Sequence, residues 1–495
     1  MSEFVLVIDQ GTTSTRAIVF DQSAEVVSLA QKELPQSFPK DGWVEHDPLQ
    51  IWQDVLEVGQ EAMQKAKLTA AQIAGLGISN QRETTILWDR LSGEPVYPAI
   101  VWQDRRTAFL CERWIEEGLE KEVQARTGLL LDPYFSASKI RWLLDNIPGL
   151  RESALQGDLL FGTVDTFLIW HLTAGQQHLT DATNASRTLL FNIHDQSWDE
   201  TLLEAFDIPA NILPVVKNCS DDFGLVNAAL WGATLPIVAV AGDQQAAALG
   251  QACIKPGMMK STYGTGCFML LNTGDHAVQS NNRLLTTTAY RINDRPTYAL
   301  EGSIFVAGAA VQWLRDAVRM IQTAADTEKI AMRIDNTEGV YLVPAFTGLG
   351  APYWDPLARG AILGLTRDSG VDQIVRAALE SVVYQSKDLW LAMQADGAGK
   401  LDSLRVDGGM VVNDWLMQFL ADMLDVPVAR PRITETTARG IAFLAGLQLG
   451  WYPGLEAISE HWEAQQIFEP HLSPLKRDQL YRGWLHAVNL IRSPR

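Results

Sequence analysis

The chain has 495 residues, of which 47% are hydrophobic and 20% charged, and its formal net charge is −19. That length is too great for one compact core and predicts two large domains, while the composition is that of an ordinary globular protein. So acidic a surface repels phosphate backbones and anionic lipids, which argues against nucleic acid and against membrane insertion, and no run of about 18 apolar residues suggests a spanning helix.

The first element is "VLVID", Val5 to Asp9, a buried strand by its continuous apolar run. "RAIVFD" and "VVSLAQ" follow, and together the three predict an antiparallel meander. The turn between the first two strands carries Gly11, Thr12, Thr13, Ser14, Thr15 and Arg16. Gly11 permits a tight turn, its neighbours' N–H groups and hydroxyls can surround phosphate oxygens, and Arg16 adds charge. Asp9, at the strand end, is placed to hold a metal through water. A plain hairpin with surface hydroxyls is the competing reading.

"IAGLGIS", Ile73 to Ser79, is a second buried strand, and it runs into "NQRET". Arg82 can donate to one hydroxyl while Glu83 accepts from its neighbour; a solvated ion pair is the alternative. Trp102, Tyr134 and Phe268 read, by themselves, as core aromatics. "LFGTVDTFLIWHLT" reads as a turn and a helix. "LPIVAVAGDQQAAALGQA" reads as strand, turn and helix, with Asp243 at the N-cap, a position that keeps a carboxylate ionised as a base requires.

The division between halves is expected at Gly250 to Gly257, giving domains 1–250 and 251–495. A second meander then begins: "MKSTYGTGCFMLLN", Met259 to Asn272, repeats the layout of an apolar run, a Gly/Thr turn and an apolar run. This predicts an internal duplication with one phosphate turn in each half. Its two glycines lack the third of a dinucleotide fingerprint and do not precede a helix, which excludes a Rossmann dehydrogenase. "EGSIFVAGAAVQWLRD" places Gln312 on a helix of small residues. "GAGK" at Gly397 to Lys400 fails as a P-loop, because Gln394 and Leu401 stand where Gly and Ser/Thr are needed. "SLRVDGGMVVNDWLMQFLADML" is a strand, a double glycine and an amphipathic helix, whose start can expose N–H groups to an anion or admit a flat ring. Cys111, Cys219, Cys253 and Cys267 form no CxxC pair. With no basic n-region before the first strand, a reduced, cytoplasmic setting is expected.

Taken together, "DQGTTSTRA", "SNQRETT", "WQDRR", "YFSASKIRWLL", "AGDQQAAALGQ", "TYGTGCF", "FTGLGAPYWDPLARGAILGLTR" and "LRVDGGMVVNDWLMQF" resemble the FGGY family of carbohydrate kinases. The likeness runs from Val5 to about Gly450, and "NQRET" with "TYGTGCF" resembles the glycerol branch. The resemblance implies an α/β, actin-like ATPase fold: two ribonuclease-H-like domains with a cleft between them. It implies ATP-dependent phosphorylation of glycerol to sn-glycerol 3-phosphate, the first step of glycerol catabolism, with ATP and Mg2+ as cofactors. It places ATP against Thr12, Thr13, Ser14, Arg16, Thr265, Gly308, Gln312, Gly409 and Asn413, and the metal at Asp9 and Asp243. Glycerol would meet Arg82, Glu83, Trp102, Tyr134, Asp243, Gln244 and Phe268, with Asp243 as general base. A homo-oligomer, dimer or tetramer, is also implied. Another polyol or ketose kinase, or a non-catalytic nucleotide switch, are the alternatives. Some family members carry a basic loop for fructose 1,6-bisphosphate, or a phosphorylated histidine, before the "AGDQQ" strand. Here "GLVNAALWGATLPIVAVAGDQQ" carries neither.

Overall fold

The computed structural model describes residues 3–355 and 357–492. Strands β1 (Phe4–Gln10), β2 (Ser14–Asp21) and β3 (Val26–Glu33) form the expected antiparallel meander. Val5, Leu6, Val7 and Ile8 are all buried, so both faces of β1 are covered, as its unbroken apolar run requires. Strand β4 (Ile73–Asn80) lies parallel to β1, and β6 (Leu235–Gly242) lies parallel to β4, with the short β5 (Leu225–Val226) at the edge. The sheet order is β5–β6–β4–β1–β2–β3.

A second sheet is built from β7 (Met259–Tyr263), β8 (Cys267–Gly274), β9 (Leu285–Ile292), β10 (Arg295–Ile304), β11 (Leu404–Asp407), β12 (Val428–Pro431) and β13 (Ala464–Phe468). Its order is β9–β10–β8–β7–β11–β12–β13. Here β7, β8 and β10 are antiparallel neighbours, and β11 and β12 continue in parallel from β7. That repeats the arrangement of β1, β2, β3, β4 and β6, so the duplication suggested by the two Gly/Thr turns extends to strand order.

Helix α1 (Pro48–Lys65) packs on the meander of the first sheet. Helices α2 (Asp243–Gly250), α3 (Gly308–Asp316), α4 (Val371–Ala395) and α5 (Asp414–Leu424) follow, and the largely buried α4 runs through the core of the second half. Helix α6 (Thr436–Gln448) leaves the second half to pack against β1, β4 and β6, and it crosses α2. The crossing is glycine-lined: a Cβ on Gly440 would lie 1.8 Å from the Ala246 carbonyl oxygen, and one on Gly250 would lie 1.9 Å from that of Thr436.

Two local expectations need correction. Leu159–Gly162 is a strand, paired with Ile86–Asp89, before the helix Val164–Leu172. Its four residues are too few to separate by pattern from the apolar helix they precede. The N-cap of α2 is Gly242, not Asp243, which takes the first helical position.

Candidate active site

The β1–β2 turn and the β7–β8 turn line one cleft of about 430 Å³. On the first side, the Gly11 N–H bonds the Ser14 carbonyl at 2.9 Å and closes the turn. Asp9, Thr12, Thr13, Ser14 and Arg16 all reach the cleft. Thr15 does not: along a strand alternate residues face opposite ways, and its side chain is buried. Arg16 is not free, because its Nη1 lies 2.9 Å from Oε2 of Glu435, in the loop before α6. On the other side, Gly264, Thr265 and Gly266 form the opposing turn.

A second cavity of about 470 Å³ adjoins the first and shares Gly264, Thr265 and Gln312 with it. Gly308, Gly409 and Asn413 line it, with the apolar surfaces of Val311, Met410 and Leu416. The Asn413 side chain accepts from the Leu416 N–H at 2.8 Å and so caps α5. Gly408, at φ +93°, must be glycine, since a Cβ there would meet the Tyr263 carbonyl oxygen at 2.5 Å. A mostly apolar slot beside a donor-rich turn suits a flat base joined to a chain of phosphates.

Deeper in the first cleft lie Arg82, Glu83, Trp102, Tyr134, Asp243, Gln244 and Phe268. The three aromatics pack edge-on, with ring centroids 5.6 Å apart for Trp102–Tyr134 and 6.0 Å for Trp102–Phe268. Trp102 Nε1 donates to Thr12 Oγ1 at 2.8 Å, tying this wall to the phosphate turn. Arg82 and Glu83 are not a solvated pair. Both are buried, and Arg82 Nε is 4.0 Å from Glu83 but 3.2 Å from Asp243 Oδ1. The guanidinium end bonds Glu301, and Glu83 bonds Arg187. Gln244 Oε1 accepts from Lys260 Nζ at 2.6 Å.

Burial raises the carboxyl of Asp243, against the pull of Arg82 and Lys260, so this group is a stronger base than a free aspartate. Burial likewise raises Glu83, opposed by Arg187 and Arg82. Asp9 is pushed up to about 7 by burial, with Arg16 lowering it and Asp243 and Glu435 adding to the rise. Among the described residues no cluster of three His, Cys, Asp or Glu side chains could cage a metal. Asp9 and Asp243 face the cleft beside the two Gly/Thr turns, a donor set of the kind that fits Mg2+, which keeps several waters and is held by one or two carboxylates together with phosphates.

Apart from Thr15, every site residue expected from the sequence lines one of the two cavities. The sequence reading missed Arg187, Lys260, Glu301 and Glu435. The one signal available was a lone charge in an apolar strand, as in "YALEGSI" around Glu301.

Residues 4–250 match the profile described as "FGGY family of carbohydrate kinases, N-terminal domain", and residues 259–449 match that of the C-terminal domain. The chain is similar to a glycerol kinase of Ectopseudomonas mendocina, at 61% identity over all of both chains. It is similar to glycerol kinase 1 of Pseudomonas aeruginosa, at 58% identity over all of both chains. Its fold is similar to that of the Plasmodium falciparum glycerol kinase solved with ADP, with a TM-score of 0.92 and 37% identity over 99% of each chain. A xylulose kinase of Lactobacillus acidophilus shares the fold, with a TM-score of 0.88 and 22% identity over 98% of each chain.

Proposed function

The chain belongs to the FGGY family of carbohydrate kinases, and from that premise we infer that it transfers the γ-phosphoryl group of ATP to a terminal hydroxyl of glycerol, giving sn-glycerol 3-phosphate. The observation that carries this reading is the junction of the two cavities. A slot suited to a purine opens onto the two Gly/Thr turns, and a small cage of carboxylates, Arg82 and three aromatic rings lies beyond them.

In this reading the adenine lies between Gly308, Gln312, Gly409 and Asn413, and the phosphates lie between Thr12, Thr13, Ser14 and Thr265. Arg16 leaves Glu435 to bind the phosphates. Glycerol stands with its carbon edge on Trp102 and Phe268 and its hydroxyls on Arg82, Glu83, Tyr134 and Gln244. A primary alcohol is a weak nucleophile, and Asp243 accepts its proton as it attacks the phosphorus in line. The raised carboxyl of Asp243 supports that role, because a stronger base takes the proton more readily. Asp9 and Asp243 would hold Mg2+, which when bound would neutralise charge on the transferring phosphoryl group. Most of the acceleration comes from alignment and charge neutralisation in a cleft that excludes water, the competing nucleophile.

The halves are two domains, 1–250 and 251–495, so the cleft lies between them and α6 ties them together. A cytoplasmic setting is supported by four cysteines that are all buried and unpaired. Among the described residues no helix is long and apolar enough to cross a membrane. Self-association as a dimer or tetramer completes the reading. The experiment that tests it is ADP release by the purified chain, with and without glycerol: release that depends on glycerol supports it, and glycerol-independent release or none contradicts it.

A further inference from the structure

Glu301 lies on β10 of the second sheet and is fully buried. Its carboxylate receives both terminal nitrogens of Arg82, Nη1 at 2.6 Å and Nη2 at 3.2 Å. It also accepts from Arg187 Nη2 at 2.9 Å. Arg187, equally buried, gives its Nε to Glu83 Oε1 at 2.6 Å. We propose that Glu301 and Arg187 are positioning residues for acceptor recognition: Glu301 aims Arg82, and through Arg187 it aims Glu83, at the hydroxyls of the acceptor. The proposal rests on the glycerol kinase reading above.

Neither Glu301 nor Arg187 lines the cleft, so they act through Arg82 and Glu83, which do. Taking ions out of water is expensive, and a buried ion pair is often no more stabilising than apolar groups of similar size. Arg187 keeps a cost even here, since its Nη1 has no hydrogen-bond partner among the described residues. A network retained at that expense is better explained by orientation than by stability. The geometry says what is oriented. With Nη1 and Nη2 of Arg82 held by the Glu301 carboxylate, and more loosely by Gln245 at 3.2 Å and Tyr134 at 3.4 Å, only the Nε edge is turned to Asp243, at 3.2 Å. Freed from Glu301, the planar fork could close on Asp243 with two parallel bonds, the arrangement arginine and carboxylate prefer, and the acceptor would lose both its donor and its base. Arg187 occupies Oε1 of Glu83, which leaves Oε2 for an acceptor hydroxyl.

Glu301 belongs to the second sheet, while Arg82, Glu83 and Arg187 all precede the chain's midpoint. Acceptor geometry is therefore set across the two halves, and a shift of the second sheet reaches both Arg82 and Glu83 through this carboxylate.

The test uses the full chain as Glu301→Gln and Arg187→Lys. Steady-state KM is measured for glycerol and for ATP, ADP affinity is measured at equilibrium, and kcat/KM for glycerol is compared with that for propane-1,2-diol, which lacks one hydroxyl. The relay predicts a glycerol KM raised about 10–100-fold with ADP affinity nearly unchanged. It also predicts that the preference for glycerol over the diol shrinks, because a site loses its grip on a hydroxyl when its own polar groups are misaimed. If Glu301→Gln does not fold, Arg187→Lys decides, since it keeps the charge but cannot hold Glu83 and Glu301 together. Folded variants with wild-type glycerol KM and selectivity overturn the relay, as does an equal loss for glycerol and ADP. A wild-type chain inactive on glycerol overturns the functional reading instead.

Discussion

Arg16 Nη1 and Glu435 Oε2 lie 2.9 Å apart, joining the phosphate turn of the first sheet to the loop that enters α6. Each side chain is about one-third exposed, at 33% and 31%, so the pair is worth little as a stabilising contact. In the proposed reading its weight is in competition, because the same guanidinium is assigned to the phosphates of ATP. Arg16→Ala should raise the KM for ATP about 10–100-fold and the KM for glycerol far less, since charge-assisted bonds are the strong ones. Glu435→Gln should leave the ATP KM unchanged or lower it. Initial-rate kinetics with each substrate varied in turn check both outcomes.

Asp243→Asn removes the proposed proton acceptor while keeping the size of the side chain. The expected loss in kcat is at least about 10²–10⁴-fold. ADP binding, measured by calorimetry, should survive, because the purine slot and the Thr265 turn do not depend on this side chain. A folded Asp243→Asn protein with near-normal kcat would remove Asp243 from the chemistry.

Glu83→Ala leaves Arg187 with Glu301 alone and, in the proposed reading, takes an acceptor from the substrate's hydroxyls. Leaving a buried polar group unpaired costs roughly 1–3 kcal/mol. The glycerol KM should rise accordingly, and the ATP KM should move little. A change confined to ATP would place Glu83 in the nucleotide site.

Much of this site is legible in the sequence, for a physical reason. Thr12 to Arg16, "TYGTG" and "DGGMVVND" are contiguous, and a phosphate or a flat ring needs several small groups along one stretch of backbone. Glu301, Arg187 and Lys260 are not legible, because each is one polar residue among apolar neighbours and acquires meaning only from partners far along the chain. Arg82 shows the limit well. The competing reading pairs it with its neighbour Glu83 in a solvated ion pair, but the guanidinium turns to Glu301, 219 residues away. The meanders follow directly from short apolar runs and turns. Helix α6 does not announce where it packs: it is buried on most sides, so no single face marks its partner, and the first sheet is covered by chain some 350 residues beyond β4.

The crossing of α2 and α6 gives a stability prediction. A methyl group on Gly440 would overlap the Ala246 carbonyl oxygen, and backbone cannot yield as a side chain can. Gly440→Ala should therefore destabilise the chain by at least about 1–3 kcal/mol, read as a lowered Tm. A Tm equal to that of the unaltered chain would show that the helices can part without cost.

Control by a sugar bisphosphate should be missing at the segment where some family members have it. From Phe223 to Gly242 the chain contains no Lys, Arg or His. Here it folds as β5, a helical turn at Ala228–Trp231, and β6. A dianion there would face a net charge of −19 without local compensation. Titration with fructose 1,6-bisphosphate at several protein concentrations should leave the activity flat, and saturable inhibition would contradict this.

In the proposed reaction the γ-phosphoryl group of ATP moves to a terminal hydroxyl of glycerol in this cleft. Phosphorus NMR of the purified chain with Mg2+, ATP and glycerol follows that transfer atom by atom. The γ-phosphate signal should be replaced in equal amount by sn-glycerol 3-phosphate and ADP, with little inorganic phosphate, and Asp243→Asn should abolish the exchange. Conversion of ATP to ADP and inorganic phosphate, with glycerol left unphosphorylated, would contradict it.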